Sequence, residues 1–72
     1  NNPVHYTRYA VDVIEITQDM DFLSGNIVKY VCRAPYKNSR LEDLLKAEWY
    51  LKRLIARVQF DEERRNLDED PA

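Results

Sequence analysis

Apolar residues recur every three or four positions along two stretches of this 72-residue chain. That spacing places side chains on one face of an α-helix. The first stretch predicts a helix over residues 22–33, whose apolar stripe contains Leu23, Ile27, Tyr30, Val31 and Ala34. A second side of this helix is polar and aligns the Asn26 amide with the cations Lys29 and Arg33.

The second stretch predicts a helix from Arg40 to Phe60 or beyond. Its buried stripe is predicted to contain Leu44, Ala47, Leu51, Leu54, Ile55 and Val58, with Tyr50 between Ala47 and Leu54. Pro35 ends the preceding helix, because proline lacks the backbone donor and restricts the residue before it. Ser39 and Glu42 match the Ser-x-x-Glu capping box that starts a helix. Since 20 helical residues span about 30 Å, we expect this long helix to pack against a second subunit as well.

The beginning of the chain has a weaker pattern. Residues 1–7 are predicted to form an extended arm, and residues 10–17 a first short helix, although Val-Asp-Val-Ile-Glu-Ile could also form a strand. Asp19 or Asp21 is the expected N-cap of the next helix. The predicted fold class is therefore all-α, a small domain of about three helices with a long C-terminal helix, assembled as a homo-oligomer. Residues 1–60 form the predicted single helical nucleotide-binding domain, and residues 61–72 an acidic, partly disordered tail.

Gly25 is the only glycine and lies inside a predicted helix. Glycine costs about 1 kcal/mol relative to alanine there, so the position needs a reason. One candidate reason is a surface that lets a phosphate or another backbone come close, beside Asn26 and two cations. The alternatives are a helical N-terminal turn near Ser24 and Gly25, or a tight helix crossing.

The length and composition restrict how the chain can be stabilised. A chain this short buries only about 60% of its unfolded surface, and many such domains use disulfides, metals or association. With one cysteine, Cys32, and one histidine, the sequence excludes an intrachain disulfide and a Cys/His zinc cluster. No apolar run approaches a membrane span, and no signal-like start is present. We therefore expect a soluble, intracellular homo-oligomer without a membrane partner.

Charge is distributed unevenly along the chain. Residues 29–57 contain eight Lys or Arg against three acids, whereas the segments before and after this basic stretch are both net negative. The basic middle favours an anionic ligand, although these cations could equally form solvated faces countered by the acidic tail. The mixed signs along the last helix do not favour nucleic acid as a partner.

Aromatic residues accompany the basic stretch. Trp49 and Tyr50 lie one turn after Lys46, and a flat ring beside cations suits a nucleobase stacked next to its phosphates. The alternatives are a helix-stabilising Glu42–Lys46 pair and a Trp49 ring that fills a groove between subunits. His5 and Tyr6 lie in the arm, where they could fold onto the core or close over a ligand. Cys32 is expected to pack as a small apolar residue.

Several catalytic signatures are absent from the sequence. It contains no phosphate-binding Gly-x-x-x-x-Gly-Lys-Ser/Thr loop, no His-Glu-x-x-His and no Gly-x-Ser-x-Gly. A helical nucleotide hydrolase would need paired acids for Mg²⁺, and only a loose set is available: Glu15, Asp19, Glu42 and Asp43. We therefore predict no cofactor, with Mg²⁺ and ATP needed only if the protein is a kinase.

Four segments together resemble a known family: Pro3–Tyr6, Val13–Glu15, Gly25–Ala34 and Leu41–Arg53. They are similar to the SaV-like family of small phage proteins, a domain also found in a nucleotide kinase of a lytic coliphage. The resemblance covers residues 3–55 and implies a helical nucleotide-binding protein in the cytoplasm of an infected bacterium. That kinase is considerably longer than this chain. The family's recurrent polar positions fall on His5, Tyr6, Asn26, Lys29, Tyr30, Arg33, Glu42, Asp43, Lys46 and Trp49.

Two main hypotheses follow. In the first, the protein sequesters a cyclic or ADP-ribose-type nucleotide signal of antiphage defence without chemistry. Its predicted ligand-binding residues are His5, Tyr6, Asn26, Lys29, Tyr30, Arg33, Lys46 and Trp49, with Lys29, Arg33 and Lys46 on phosphates and Tyr6 or Trp49 on a base. In the second, the protein is a nucleoside monophosphate kinase assisted by His5 or Asp43. A third alternative is an inhibitor that binds a host enzyme. Because three short helices leave little room for a pocket of about 300 Å³, we expect the site to lie between subunits.

Overall fold

The computed structural model describes residues 12–36 and 38–68, and all regular structure in these residues is helical. Helix α1 spans Val13–Thr17, α2 spans Phe22–Arg33 and α3 spans Arg40–Asp68, with a 3₁₀ turn over Ala34–Tyr36 after α2. The predicted all-α class with a long last helix is confirmed. The strand alternative for the Val-Ile-Glu-Ile stretch is wrong, since α1 contains it.

The predicted start of α2 is confirmed at Asp21. The Asp21 backbone is extended, and its carboxylate accepts a hydrogen bond from the Ser24 N–H at 3.0 Å. This contact satisfies one of the backbone donors that the first turn of a helix leaves without a partner. Hydrogen bonding to Ser24 lowers the pKa of the Asp21 carboxyl below its ordinary value.

Gly25 lies at a close approach between α2 and the end of α1. A Cβ atom added at Gly25 would lie 3.4 Å from the Thr17 carbonyl oxygen and 3.6 Å from the Thr17 Cβ. Its φ angle is not positive, so the backbone conformation itself does not require glycine. Gly25 lies in the first turn of α2, as one of the alternatives predicted, and the crossing with α1 leaves room for a Cβ atom, so it is not tight enough to require glycine.

We expect Gly25→Ala to raise the free energy of unfolding by about 0.5–1 kcal/mol. One methyl group meets Thr17 at ordinary van der Waals distance, while the entropic penalty of helical glycine disappears. Gly25→Val is the matched control, since its additional methyl groups would push α1 away and lower stability. Urea denaturation at a fixed protein concentration measures both changes. A destabilised alanine variant would show that α1 packs more closely than this geometry allows.

Helices α2 and α3 form an antiparallel hairpin. Arg33 at the end of α2 contacts Asp43 near the start of α3, and Phe22 at the other end of α2 contacts Tyr50. As predicted, α2 ends before Pro35, and α3 begins directly after Ser39, whose carbonyl accepts the Asp43 N–H at 3.1 Å. With 29 residues against 12, α3 is about 43 Å long and α2 about 18 Å, so α3 extends well past its partner.

The predicted buried stripe of α3 is largely wrong. Of its six members, only Ala47 is buried and Leu54 half-buried, whereas the other four are between 39% and 47% exposed: Leu44, Leu51, Ile55 and Val58. The narrow helix α2 covers only the side of α3 that presents Asp43 and Ala47. The buried apolar residues of the described chain are Val13, Ala34 and Ala47, a very small core.

The acidic segment that follows Phe60 is helical as far as it is described. Helix α3 continues through residues 61–68, so the described part of the predicted acidic tail extends the helix. Residues 69–72 and the predicted extended arm at residues 1–7 lie outside the described residues.

Candidate functional site

Three cations surround the Tyr30 ring on one side of the hairpin. The Lys29 Nζ lies 4.5 Å from the ring centroid, the Arg33 Cζ 5.1 Å and the Lys46 Nζ 5.5 Å. Lys29 and Arg33 come from α2 and Lys46 comes from α3, so the pairing of the helices creates the cluster. The positive charges favour an anion here, and the ring faces partly compensate their mutual repulsion.

Arg33 also forms an ion pair with Asp43 within the protein. Its Nη2 donates to Asp43 Oδ1 at 3.0 Å and its Nε to Asp43 Oδ2 at 3.3 Å, a bidentate ion pair. The Asp43 side chain is 1% exposed, whereas that of Arg33 is 29% exposed. Because a buried carboxylate needs this compensation, Arg33 has a structural role besides any contact with a ligand.

Trp49 lies beside the cluster and is 56% exposed. Its ring meets Tyr50 edge-on at 5.0 Å between centroids, and Tyr50 stacks on Tyr30 at 5.9 Å. The Arg53 guanidinium lies 5.4 Å from the Trp49 ring centroid. Tyr50 therefore fixes the Trp49 ring from one side, while much of the Trp49 surface stays open to a ligand.

Two open grooves meet at Trp49. One, of about 450 Å³, is lined by Tyr30, Glu42, Leu45, Lys46, Trp49 and Tyr50. The other, of about 690 Å³, contains aromatic and basic residues, including Phe22, Trp49, Arg53, Arg57 and Phe60. A single chain thus provides the room that we expected only between subunits, since ligand sites commonly begin near 300 Å³.

Asn26 lies apart from Trp49. Its amide Nδ2 donates to the Phe22 carbonyl at 2.8 Å within α2, so one amide proton is used inside the helix. Asn26 and Lys29 line a third groove, of about 340 Å³, together with residues of α1. The structure therefore brings Tyr30, Lys46 and Trp49 to one groove and Asn26 with Lys29 to another. The predicted residues His5 and Tyr6 lie outside the described residues.

The Glu42–Lys46 pair considered from the sequence does not form. In the described part of the chain neither residue has an ion pair, and Lys46 turns toward Tyr30. Among the described residues, an ion pair with this four-residue spacing forms between Glu48 and Lys52, where Oε2 and Nζ are 3.7 Å apart. Lys46 therefore keeps its charge free of a carboxylate, which suits a phosphate-binding role.

Of the residues that line the larger groove, the site prediction included only Trp49 and missed, among others, four that surround it: Phe22, Arg53, Arg57 and Phe60. A signal for three of them exists in the sequence. Trp49, Arg53, Arg57 and Phe60 follow at spacings of four, four and three, which places them along one side of a helix. Phe22 joins them only through the packing of α2, so no local pattern could reveal it.

The described residues contain neither a metal-binding cluster nor a membrane-spanning helix. Among them, no group of three or more His, Cys, Asp or Glu side chains is placed to hold a metal ion, so the loose acidic set does not assemble there. No helix in this part of the chain combines the length and hydropathy that crossing a bilayer requires.

Comparison with known proteins gives a family match. The model of a family described as protein of unknown function, DUF3310, matches residues 1–52. No curated protein and no solved structure matches the chain. The match supports a family of small proteins whose function is unknown. It does not test the more specific resemblance to SaV-like phage proteins.

Proposed function

The chain belongs to the DUF3310 family, and we propose that this member binds a nucleotide on the surface around Trp49 and does not transform it. The supporting observation is the exposed Trp49 ring between two sets of cations, Lys46 on one side and Arg53 with Arg57 on the other. A base stacks on the indole, and its phosphates lie against the cations. The proposed site is contained in one chain, and the protein acts as a homo-oligomer.

The resemblance to SaV-like proteins specifies which nucleotide we propose as the ligand and where the protein acts. The ligand is then a cyclic or ADP-ribose-type signal of antiphage defence, and the protein acts in the cytoplasm of an infected bacterium. Sequestration needs binding groups only, and Trp49, Lys46 and Tyr30 provide a stacking surface and charge. These groups lie on helices that pack against each other, which limits the entropy lost on binding.

The geometry does not favour the kinase alternative. Asp43, one of two residues considered as assisting phosphoryl transfer, is buried and bonded to Arg33. A carboxylate that is 1% exposed is not accessible to a substrate hydroxyl or to a metal-bound nucleotide at the surface. The other such residue, His5, lies outside the described residues.

The first experiment incubates the full chain with a mixed pool of nucleotides, cyclic dinucleotides, ADP-ribose derivatives and ATP–Mg²⁺. After gel filtration and denaturing extraction, mass spectrometry identifies what remained bound. We expect an unaltered nucleotide at a fixed ratio per chain. A newly formed diphosphate would instead establish a kinase, and a protein that retains no nucleotide would contradict the proposal.

Trp49→Ala is the corresponding test of the site. With the nucleotide recovered above, we expect a loss of affinity of about 5- to 150-fold, because stacking on an aromatic residue contributes about 1–3 kcal/mol per base. Trp49→Phe should retain most of the affinity. Leu41→Ala is the matched control, since Leu41 is an exposed apolar residue of α3 that lines neither groove at Trp49. Equal affinities of the Trp49→Ala and Leu41→Ala variants, measured by calorimetry, would remove Trp49 from the site.

A further inference from the structure

One side of α3 presents apolar residues that no described helix covers. These residues, which we call the α3 flank, are Leu44, Leu51, Ile55 and Val58. Their spacings of seven, four and three keep them in one row along about 21 Å of helix. Helix α2 packs on the neighbouring side, where Asp43 and Ala47 are buried. A row of half-exposed aliphatic residues with this repeat is typical of a helix–helix contact.

A second copy of the chain would supply burial that the described residues lack. The four flank residues, each between 39% and 47% exposed, would be covered by the same four residues of the other copy. The described core contains three buried apolar residues, and domains this short often gain stability by association.

Charges at the edges of the flank favour a second copy of this chain in an antiparallel orientation. Arg40 and Glu62 lie on the side of α3 that carries the flank, near its two ends, and neither has an ion pair within the described chain. Around a two-fold axis at Leu51, Arg40 faces Glu62 of the other copy and Leu44 faces Val58 of the other copy. Parallel helices would instead place Arg40 beside Arg40 and Glu62 beside Glu62, which is repulsive.

We propose that two copies of the chain associate through their α3 flanks, with the helices antiparallel and Leu51 at the two-fold axis. This inference extends the homo-oligomer of the proposed function by naming its interface, and it does not depend on nucleotide binding. Lys46 and Trp49 lie on other sides of α3, so the two grooves at Trp49 stay open on both subunits. Each chain then binds its ligand independently.

Cysteine cross-linking tests the orientation in a Cys32→Ala background. Leu44→Cys and Val58→Cys proteins, one of them tagged, are mixed, treated with a short bis-maleimide and separated by denaturing electrophoresis. We expect a cross-link between the two variants and little within either variant alone. Antiparallel packing separates two copies of residue 44 by about 21 Å along the axis. Leu51→Cys alone should cross-link efficiently, because the two-fold axis brings its copies together.

Two controls keep the result interpretable. Leu45→Cys, an exposed neighbour pointing to another side of α3, should not cross-link to Val58→Cys. Sedimentation should show a dimer for the unmodified chain and a monomer for Leu51→Glu, with helical content checked by circular dichroism. Efficient cross-linking of Leu44→Cys to itself, or a monomeric unmodified chain at tens of micromolar, would overturn the proposal. Because no nucleotide is present, such a failure would leave the binding proposal to its own test.

Discussion

Arg33→Ala is expected to lower the free energy of unfolding by about 3–5 kcal/mol. The change leaves the Asp43 carboxylate, which is 1% exposed, without the guanidinium that donates two hydrogen bonds to it. Removing Arg33 takes away an opposite charge and two charge-assisted hydrogen bonds that offset the desolvation cost of the buried carboxylate. For a small domain, this is a large fraction of the total stability.

A double-mutant cycle separates the ion pair from simple side-chain truncation. Urea denaturation of Arg33→Ala, Asp43→Ala and the double variant gives the coupling between the two residues, and we expect the double variant to be more stable than Arg33→Ala. Lys29→Ala is the matched control, since Lys29 is a neighbouring cation of α2 without an ion pair in the described chain. It should change stability little. Additive effects of the two single changes would show that Asp43 does not depend on Arg33.

This result bears on how binding variants are interpreted. The sequence analysis placed both Lys29 and Arg33 on phosphates, from which alanine at either residue would abolish nucleotide binding and leave the fold intact. The structure gives the two residues different roles, because only Arg33 forms an ion pair with a buried carboxylate. A loss of binding in Arg33→Ala would therefore report unfolding as readily as a lost phosphate contact.

Lys46→Glu is expected to weaken nucleotide binding by about 10- to 150-fold or more. The ammonium group lies 5.5 Å from the Tyr30 ring, has no carboxylate partner in the described chain and lines the smaller groove at Trp49. A charge-assisted hydrogen bond contributes about 1.5–3 kcal/mol, and the introduced carboxylate adds repulsion from the phosphates. The affinity should also depend less on salt concentration in the variant.

Arg65→Glu is the matched control, because it makes the same change in net charge at a residue of α3 that lines neither groove at Trp49. Calorimetric titration with the nucleotide that the protein retains, at two salt concentrations, compares the two variants. Similar losses in both would mean that net charge alone governs affinity. In that case the groove beside Lys46 would not be the binding site.

The sequence was a good guide to elements that local rules determine. Asp21 caps α2 because a carboxylate can reach the first-turn donors, and Pro35 limits α2 because proline has no N–H. The burial of the α3 stripe was wrong for a physical reason. Periodicity identifies the residues that share a face, but the coverage of that face depends on the width of its neighbour. Here the neighbour is the single short helix α2.

The candidate site could be predicted in part. The proximity of Lys46, Trp49 and Tyr50 follows from their positions within one helix turn, and Tyr30 was already included in the site. The ion pair between Arg33 and Asp43 joins two helices across a turn, so no helical spacing indicates it. Phe22 likewise reaches the larger groove through tertiary packing, which the sequence pattern does not encode.

The short connection between α2 and α3 has a consequence for the order in which the molecule assembles. Only residues 34–39 separate the two helices, and the Arg33–Asp43 contact closes a loop of ten residues. Closing so small a loop costs little chain entropy, and hairpins with such local contacts form in microseconds to milliseconds. The encounter of two chains is a slower, concentration-dependent event. The hairpin is therefore formed before a partner arrives, and dilution would delay the completed assembly without delaying the folding of each hairpin.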